Sequence, residues 1–266
     1  MLTAPARRFL RIESGGLCYL MTYELPGRIG MAAGLGVVAA AGNLLGGLFV
    51  VRKEWPRAFL HYFMALGAGY MLAVAFTDVI PESVRIGGQS AFLLVLIGYF
   101  LVHLFEHILA PHFHFGEETH TEMMRQHRAR TVLLGLGIHT FFDGVAIAAG
   151  FLVSTWLGAV IFFAVLLHKL PEGFTIASVA LASGQSRGKA VMAAGVLGAA
   201  TLLGVLLTSV LQAQLKYALP LSAGVTVYVA ATDLLPEVNR EPGWRAAALV
   251  LVGVAMLLIL HALVRV

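Results

Sequence analysis

Eight stretches of this chain, approximately 30–51, 57–80, 89–110, 131–153, 157–182, 189–212, 218–237 and 244–264, are long and almost wholly apolar. A helix needs about 20 apolar residues to cross roughly 30 Å of hydrocarbon at about 1.5 Å per residue, and each stretch meets that length. Within hydrocarbon every backbone N–H and C=O must be satisfied inside the protein, which leaves helices or a closed barrel. Runs of this length without alternation predict helices. The expected fold is therefore all-α integral membrane, with eight transmembrane helices. Hydrophobic residues make up 59% and charged residues 12% of the chain, more apolar surface than a soluble core uses. One transporter-like membrane domain is expected over 1–266, with 1–27 as an N-terminal surface tail and 111–130 as a histidine-rich cytoplasmic loop.

The net charge of +4 is spread through short connections rather than gathered in a groove, so nucleic acid is not an expected partner. The connections after spans one, three, five and seven hold Arg52, Lys53, Arg57, Arg125, Arg128, Arg130, Arg187, Lys189, Arg240 and Arg245. The opposite side holds Arg28, Arg85, Lys216 and Arg265. The positive-inside rule puts both termini outside a plasma or inner cell membrane, with Arg7, Arg8 and Arg11 running against it. Residues 1–27 lack the apolar core and small-residue cleavage site of a signal peptide. The lone Cys18 permits no intrachain disulfide and no thiolate metal cluster.

The second stretch ends Gly69-Tyr-Met-Leu-Ala-Val-Ala-Phe-Thr77-Asp78-Val-Ile-Pro81-Glu82, and the seventh ends Gly224-Val-Thr-Val-Tyr-Val-Ala-Ala-Thr232-Asp233-Leu-Leu-Pro236-Glu237. Seven of these fourteen positions are identical, which marks an internal repeat. One span is even-numbered and the other odd, so the copies run in opposite directions. Asp78 and Glu82 are expected at the outer face, Asp233 and Glu237 at the inner one. A 3+2+3 inverted-repeat arrangement follows, with spans 1–3 related to spans 6–8 and spans four and five between them.

Those two central spans carry a second duplication. His139-Thr140-Phe141-Phe142-Asp143-Gly144 recurs as His168-Lys169-Leu170-Pro171-Glu172-Gly173. Each copy places an imidazole and a carboxylate four residues apart on one helical face. An ionisable group in hydrocarbon is disfavoured by roughly 2.5–3.5 kcal/mol on insertion scales, so the pairs read as a functional site. His139, Asp143, His168 and Glu172 supply nitrogen and oxygen ligands that suit zinc or a similar first-row divalent ion. Inverted repeats place substrate sites near the midplane where the halves meet, which is where these motifs fall. Pro171 removes a backbone donor, so span five is expected to bend there and expose the Leu167 carbonyl.

The pattern resembles the ZIP (Zrt/Irt-like) divalent metal transporters over all eight spans, through His139…Asp143-Gly144, His168…Pro171-Glu172-Gly173 and the Asp-x-x-Pro-Glu endings. The resemblance implies that zinc, iron, manganese or cadmium moves into the cytoplasm by alternating access, with His139, Asp143, His168 and Glu172 as the transport site. Lipid and the metal are then the partners, the metal is substrate, and no organic cofactor is called for. Many family members hold a second metal, using an Asn or acid after each His and an acid on span six. Here those positions hold Thr140, Lys169 and Thr201. A mononuclear site is expected, with the Lys169 ammonium in place of the second ion.

Span three ends His103-Leu-Phe-Glu106-His107, which reads equally as a relay towards the cytoplasm or as interfacial packing. His112, His114, His120 and His127 in the following loop match no closed zinc module and are expected to collect metal weakly as a buffer or sensor. His61 and His261 read as structural interface residues. Glycine-rich spans are compatible with a homodimer. The principal alternative is a membrane-embedded metal-dependent hydrolase. Such a site keeps three protein ligands and an open water position, whereas this chain has four candidate ligands, no His-Glu-x-x-His and carboxylates at both ends of a path.

Overall fold

The computed structural model of the chain describes residues 14–52, 57–109, 126–240 and 244–264. Among these residues there is no strand, and eight helices are long and apolar enough to cross a membrane. They are Leu25–Arg52, Phe59–Gly87, Ser90–Ile108, Val132–Val153, Thr155–Ala182, Arg187–Val210, Gln212–Arg240 and Trp244–Val264, referred to below as spans one to eight. The first belongs to a longer helix, Ser14–Arg52, so half of the expected tail continues span one without a break. The helix that carries span four begins at Gln126, inside the expected histidine-rich loop. His112, His114 and His120 lie outside the described residues, as does the side chain of His127.

Spans two and seven extend past the Pro-Glu pairs at which the sequence predicts their ends. Each contains a wider π-helical turn, Ala75–Val79 and Val229–Leu234, over the repeated Thr-Asp pair. The Ile80 N–H donates to the Ala75 carbonyl and the Leu235 N–H to the Ala230 carbonyl, five residues back in both cases. A π turn inserts one residue into the helical ladder, so the missing N–H of Pro81 or Pro236 is absorbed and the helix goes on. Span two stops only at Gly88, whose φ of 66° ends the helix. Span five is one continuous helix from Thr155 to Ala182 with Pro171 inside it.

Spans four and five are joined by Ser154 alone, in extended conformation, and its hydroxyl caps span five by accepting from the Leu157 N–H at 3.0 Å. So short a link makes the two spans antiparallel neighbours and brings their His-x-x-x-acid motifs to the same depth. Around them, span one packs on span five, span six on span four, span two on span eight and span three on span seven. Small residues bring these backbones together, as expected where lipid supplies no hydrophobic drive for helix association. A Cβ at Gly173 or Gly144 would collide with the backbone of Asn43 or Thr201. The outer pairs repeat the device: a Cβ at Gly69 would fall on the Val250 carbonyl, and one at Gly224 on the Val95 carbonyl. Spans four and five are the most enclosed of the eight, and spans three and eight the least.

Gly69→Leu is expected to force spans two and eight apart, with the cost of about 1–3 kcal/mol typical of overpacking and a lowered unfolding temperature in detergent. Gly34→Ala has open space around it and is expected to leave that temperature unchanged.

Candidate metal site

The helical period and the one-residue link place six side chains together between spans four and five. His139, Thr140, Asp143, His168, Lys169 and Glu172 are all at most 1% exposed. The Lys169 ammonium lies 2.6 Å from Asp143 Oδ2 and 2.6 Å from Glu172 Oε2, so one cation ties the acid of span four to the acid of span five. The Thr140 hydroxyl donates to Glu172 Oε1. Asn43, reaching in from span one, donates its amide to Glu172 Oε2 at 3.3 Å and to the Lys169 carbonyl at 2.6 Å.

The two histidines are held differently. His168 Nδ1 lies 3.1 Å from the Ala164 carbonyl. A carbonyl can only accept, so Nδ1 carries the proton. Nε2 lies 3.1 Å from Asp143 Oδ2, so the ring links the backbone of span five to the acid of span four. A backbone bond to the far nitrogen fixes the ring orientation, as is usual for histidines that ligate metals. His139 Nε2 is 3.3 Å from Glu172 Oε1, yet among the described residues neither of its ring nitrogens has a hydrogen-bond partner. An imidazole buried with both nitrogens unsatisfied is costly unless another ligand occupies it at some stage.

Ligand atoms of His139, Asp143 and Glu172 all come within 4.8 Å of one another, the spacing of a set that can close on one ion. His168 joins this trio through Asp143. His139 also belongs to a second trio with Glu106 and Asp233, whose ligand atoms meet the same limit. Asp233 Oδ2 is buried with no hydrogen-bond partner among the described residues, while Glu106 Oε2 accepts from the Tyr228 hydroxyl at 2.8 Å. Continuous oxygen and nitrogen ligands thus run from Glu172 through His139 to Asp233 and Glu106.

The remaining expected path residues are tied up locally. Asp78 Oδ1 lies 2.9 Å from His261 Nε2, and its Oδ2 accepts from Thr77 at 2.6 Å. Glu82 pairs with Arg85 at 2.5 Å and Glu237 with Arg240 at 3.0 Å, each three residues on. His103 and His107 stack on each other with centroids 4.1 Å apart, and His103 meets the Tyr228 ring edge-on at 6.0 Å, but neither imidazole belongs to the trio of Glu106, His139 and Asp233. His61 is buried against the Val238 carbonyl at 3.1 Å. Thr201 turns its hydroxyl back to the Leu197 carbonyl of its own helix rather than towards the carboxylates.

Sequence reading missed Asn43 and Tyr228. Asn43 left a trace, since it is the one polar side chain among residues 30–51, which are otherwise apolar or glycine. Tyr228 left none, because its hydroxyl matters only once spans three and seven are in contact.

The fold and this site define a multi-pass membrane protein with a buried nitrogen and oxygen ligand set suited to a divalent ion. The ZIP zinc transporter family model matches residues 115–261, and the chain belongs to that family. It is 34% identical over 116 residues to the zinc transporter ZIP13 homolog of Drosophila melanogaster, covering 41% of this chain and 33% of that protein. It is 30% identical over 159 residues to zinc transporter ZIP9 of Micropogonias undulatus, covering 54% of this chain and 50% of that one. The alignments thus span about a third to a half of these relatives' length.

Replacing Lys169 by Met is expected to destabilise the metal-free protein by about 3–5 kcal/mol, because two buried carboxylates lose their shared partner. The double change Lys169→Met, Asp143→Asn is expected to recover part of that loss. Thermal unfolding of chelator-treated protein in detergent measures both.

Proposed function

We propose that the protein carries zinc, or a similar divalent ion, into the cytoplasm by alternating access through His139, Asp143, His168 and Glu172. The observation that carries this reading is the closure of His139, Asp143 and Glu172 ligand atoms to within 4.8 Å of one another, fully buried among membrane spans. Membership of a family of transporters sets the hydrolase alternative aside. The donor set contains imidazole and carboxylate and no thiolate, which holds zinc without the grip of a structural site.

The direction of travel follows from the two ends of the chain of ligands. On the Asp78 side, His261 and Thr77 occupy the carboxylate. On the Asp233 side, an unsatisfied oxygen faces His139 and Glu106. The positive-inside rule makes the Asp233 side cytoplasmic. An ion leaving Glu172 can pass by way of His139 to Asp233 and Glu106, so His139 serves both sites and need not release its cargo to bare hydrocarbon. The paired packing of spans one with five and six with four, and of two with eight and three with seven, supports the 3+2+3 inverted-repeat arrangement. So do the matching π turns.

One ion occupies the site on this reading. Two divalent ions a few ångströms apart need flanking acids to offset their repulsion. Here span six brings Thr201 in place of an acid, and Lys169 adds a positive charge between the carboxylates.

Zinc uptake into proteoliposomes tests the function. His168→Ala and Glu172→Ala are each expected to reduce initial uptake by about tenfold or more while the proteins still insert and elute as folded species. Wild-type uptake by a folded His168→Ala, Glu172→Ala double variant is incompatible with this site. Bound zinc counted by elemental analysis is expected at one ion per chain, and two ions bridged by Asp143 and Glu172 in an anomalous-scattering map contradict the single-ion reading. In a Cys18→Ser background, Gln89→Cys is expected to react with an impermeant thiol reagent from outside and Asn239→Cys only from inside. Labelling of both from one side overturns the assigned direction.

A further inference from the structure

We propose that Asn43 is a specificity-determining residue of the metal site: by capping one oxygen of Glu172 from span one, it leaves that acid a single oxygen for the ion and so favours zinc over larger ions such as manganese. The inference rests on the site reading above and adds what sets its choice of metal.

Asn43 is fully buried, on the face of span one that lies against the segment 169–174 of span five. A Cβ at Gly42 would sit 3.1 Å from the Lys169 Cβ, and one at Gly46 would fall on the Leu170 carbonyl. The two glycines thus bring the backbones close enough for the short Asn43 side chain to reach the site. Its partners fix the orientation of the amide. A carbonyl only accepts, so the atom 2.6 Å from the Lys169 carbonyl is the nitrogen, and the same nitrogen donates to Glu172 Oε2 at 3.3 Å.

A carboxylate has about four lone-pair sites, and the neighbours of Glu172 claim them unequally. Oε2 accepts from both the Lys169 ammonium and the Asn43 amide. Oε1 accepts from the Thr140 hydroxyl and lies 3.3 Å from His139 Nε2. The open lone pair is therefore on Oε1, on the His139 side. An ion held by His139 and Asp143 meets Glu172 through that oxygen. The Lys169 ammonium is shared with Asp143 and sits on a flexible stem, so it can yield to an ion. Asn43 is pinned to the main chain and keeps Oε2 capped. Contact through one oxygen suits four-coordinate zinc. Manganese favours an octahedral shell of oxygens, and gains when a carboxylate is free to turn both oxygens to it.

The test is equilibrium binding to the metal-free full chain in detergent, titrated with zinc and with manganese, and the quantity read is the ratio of the manganese to the zinc dissociation constant. Asn43→Ala, and Asn43→Leu, which refills the volume of the amide, are each expected to lower that ratio by about tenfold, equivalent to about 1.4 kcal/mol. Gly36→Ala crowds span one against Val205, away from the site, and is expected to lower the unfolding temperature while leaving the ratio unchanged. An unchanged ratio in both Asn43 variants overturns the proposal, as does an equal fall in Gly36→Ala. So does a zinc-loaded wild-type structure in which both Glu172 oxygens coordinate the ion, and that measurement stands even if neither Asn43 variant folds. Wild-type titrations that Glu172→Ala leaves unaltered for both metals overturn the site reading itself, and this inference with it.

Discussion

Two carboxylates held by one ammonium, all three sealed from solvent, are the interaction around which the rest of this membrane domain is arranged. Three charged groups at this depth are each unfavourable alone, and they become tolerable only when held at contact distance. Contact in turn demands that spans four and five keep one separation and one depth. Ser154 as the sole link and the Gly144 and Gly173 contacts with spans six and one enforce both. Electrostatics at the centre therefore explains the steric economy around it. A Cβ at either glycine would push a flanking helix outward, and span one would take Asn43 away from Glu172 with it.

The same reasoning accounts for the asymmetry between the two ends of the path. The repeated Thr-Asp pairs both sit on π turns, so their backbones are prepared alike. Their side chains meet different neighbours. Asp78 finds His261 from span eight, whereas Asp233 finds His139 and Glu106. On the carrier reading proposed above, a duplicated backbone with unequal partners gives the two faces distinct chemistry, since each acid can be released or engaged separately. The wider turns also place local ladder defects where small rearrangements cost least.

Much of the fold was legible in the sequence because the bilayer is a demanding solvent: length and apolarity alone locate eight spans, and the π turns shifted only the ends of spans two and seven. The central motifs were legible for a related reason. Four-residue spacing places His139 with Asp143 and His168 with Glu172 on single helical faces whatever the tertiary structure. Less legible was the extent of the helix carrying span one, which among the described residues runs from Ser14 through Pro26.

Sequence by itself determined which groups lie deep in the membrane and along which face of each helix, since both follow from local period and residue type. Only the tertiary structure decided which of those faces meet. It brings His139 rather than His168 into mutual reach of both acids, joins His139 to Asp233 and Glu106 from distant spans, and swings Asn43 onto Glu172. It also stacks His103 on His107 and edge-on to Tyr228, and spends Thr201 on its own backbone. The physical reason is that a helical period fixes angles along one rod, while distances between rods depend on which glycines let two backbones touch and at what rotation. That information belongs to pairs of helices, and no single stretch of the chain carries it.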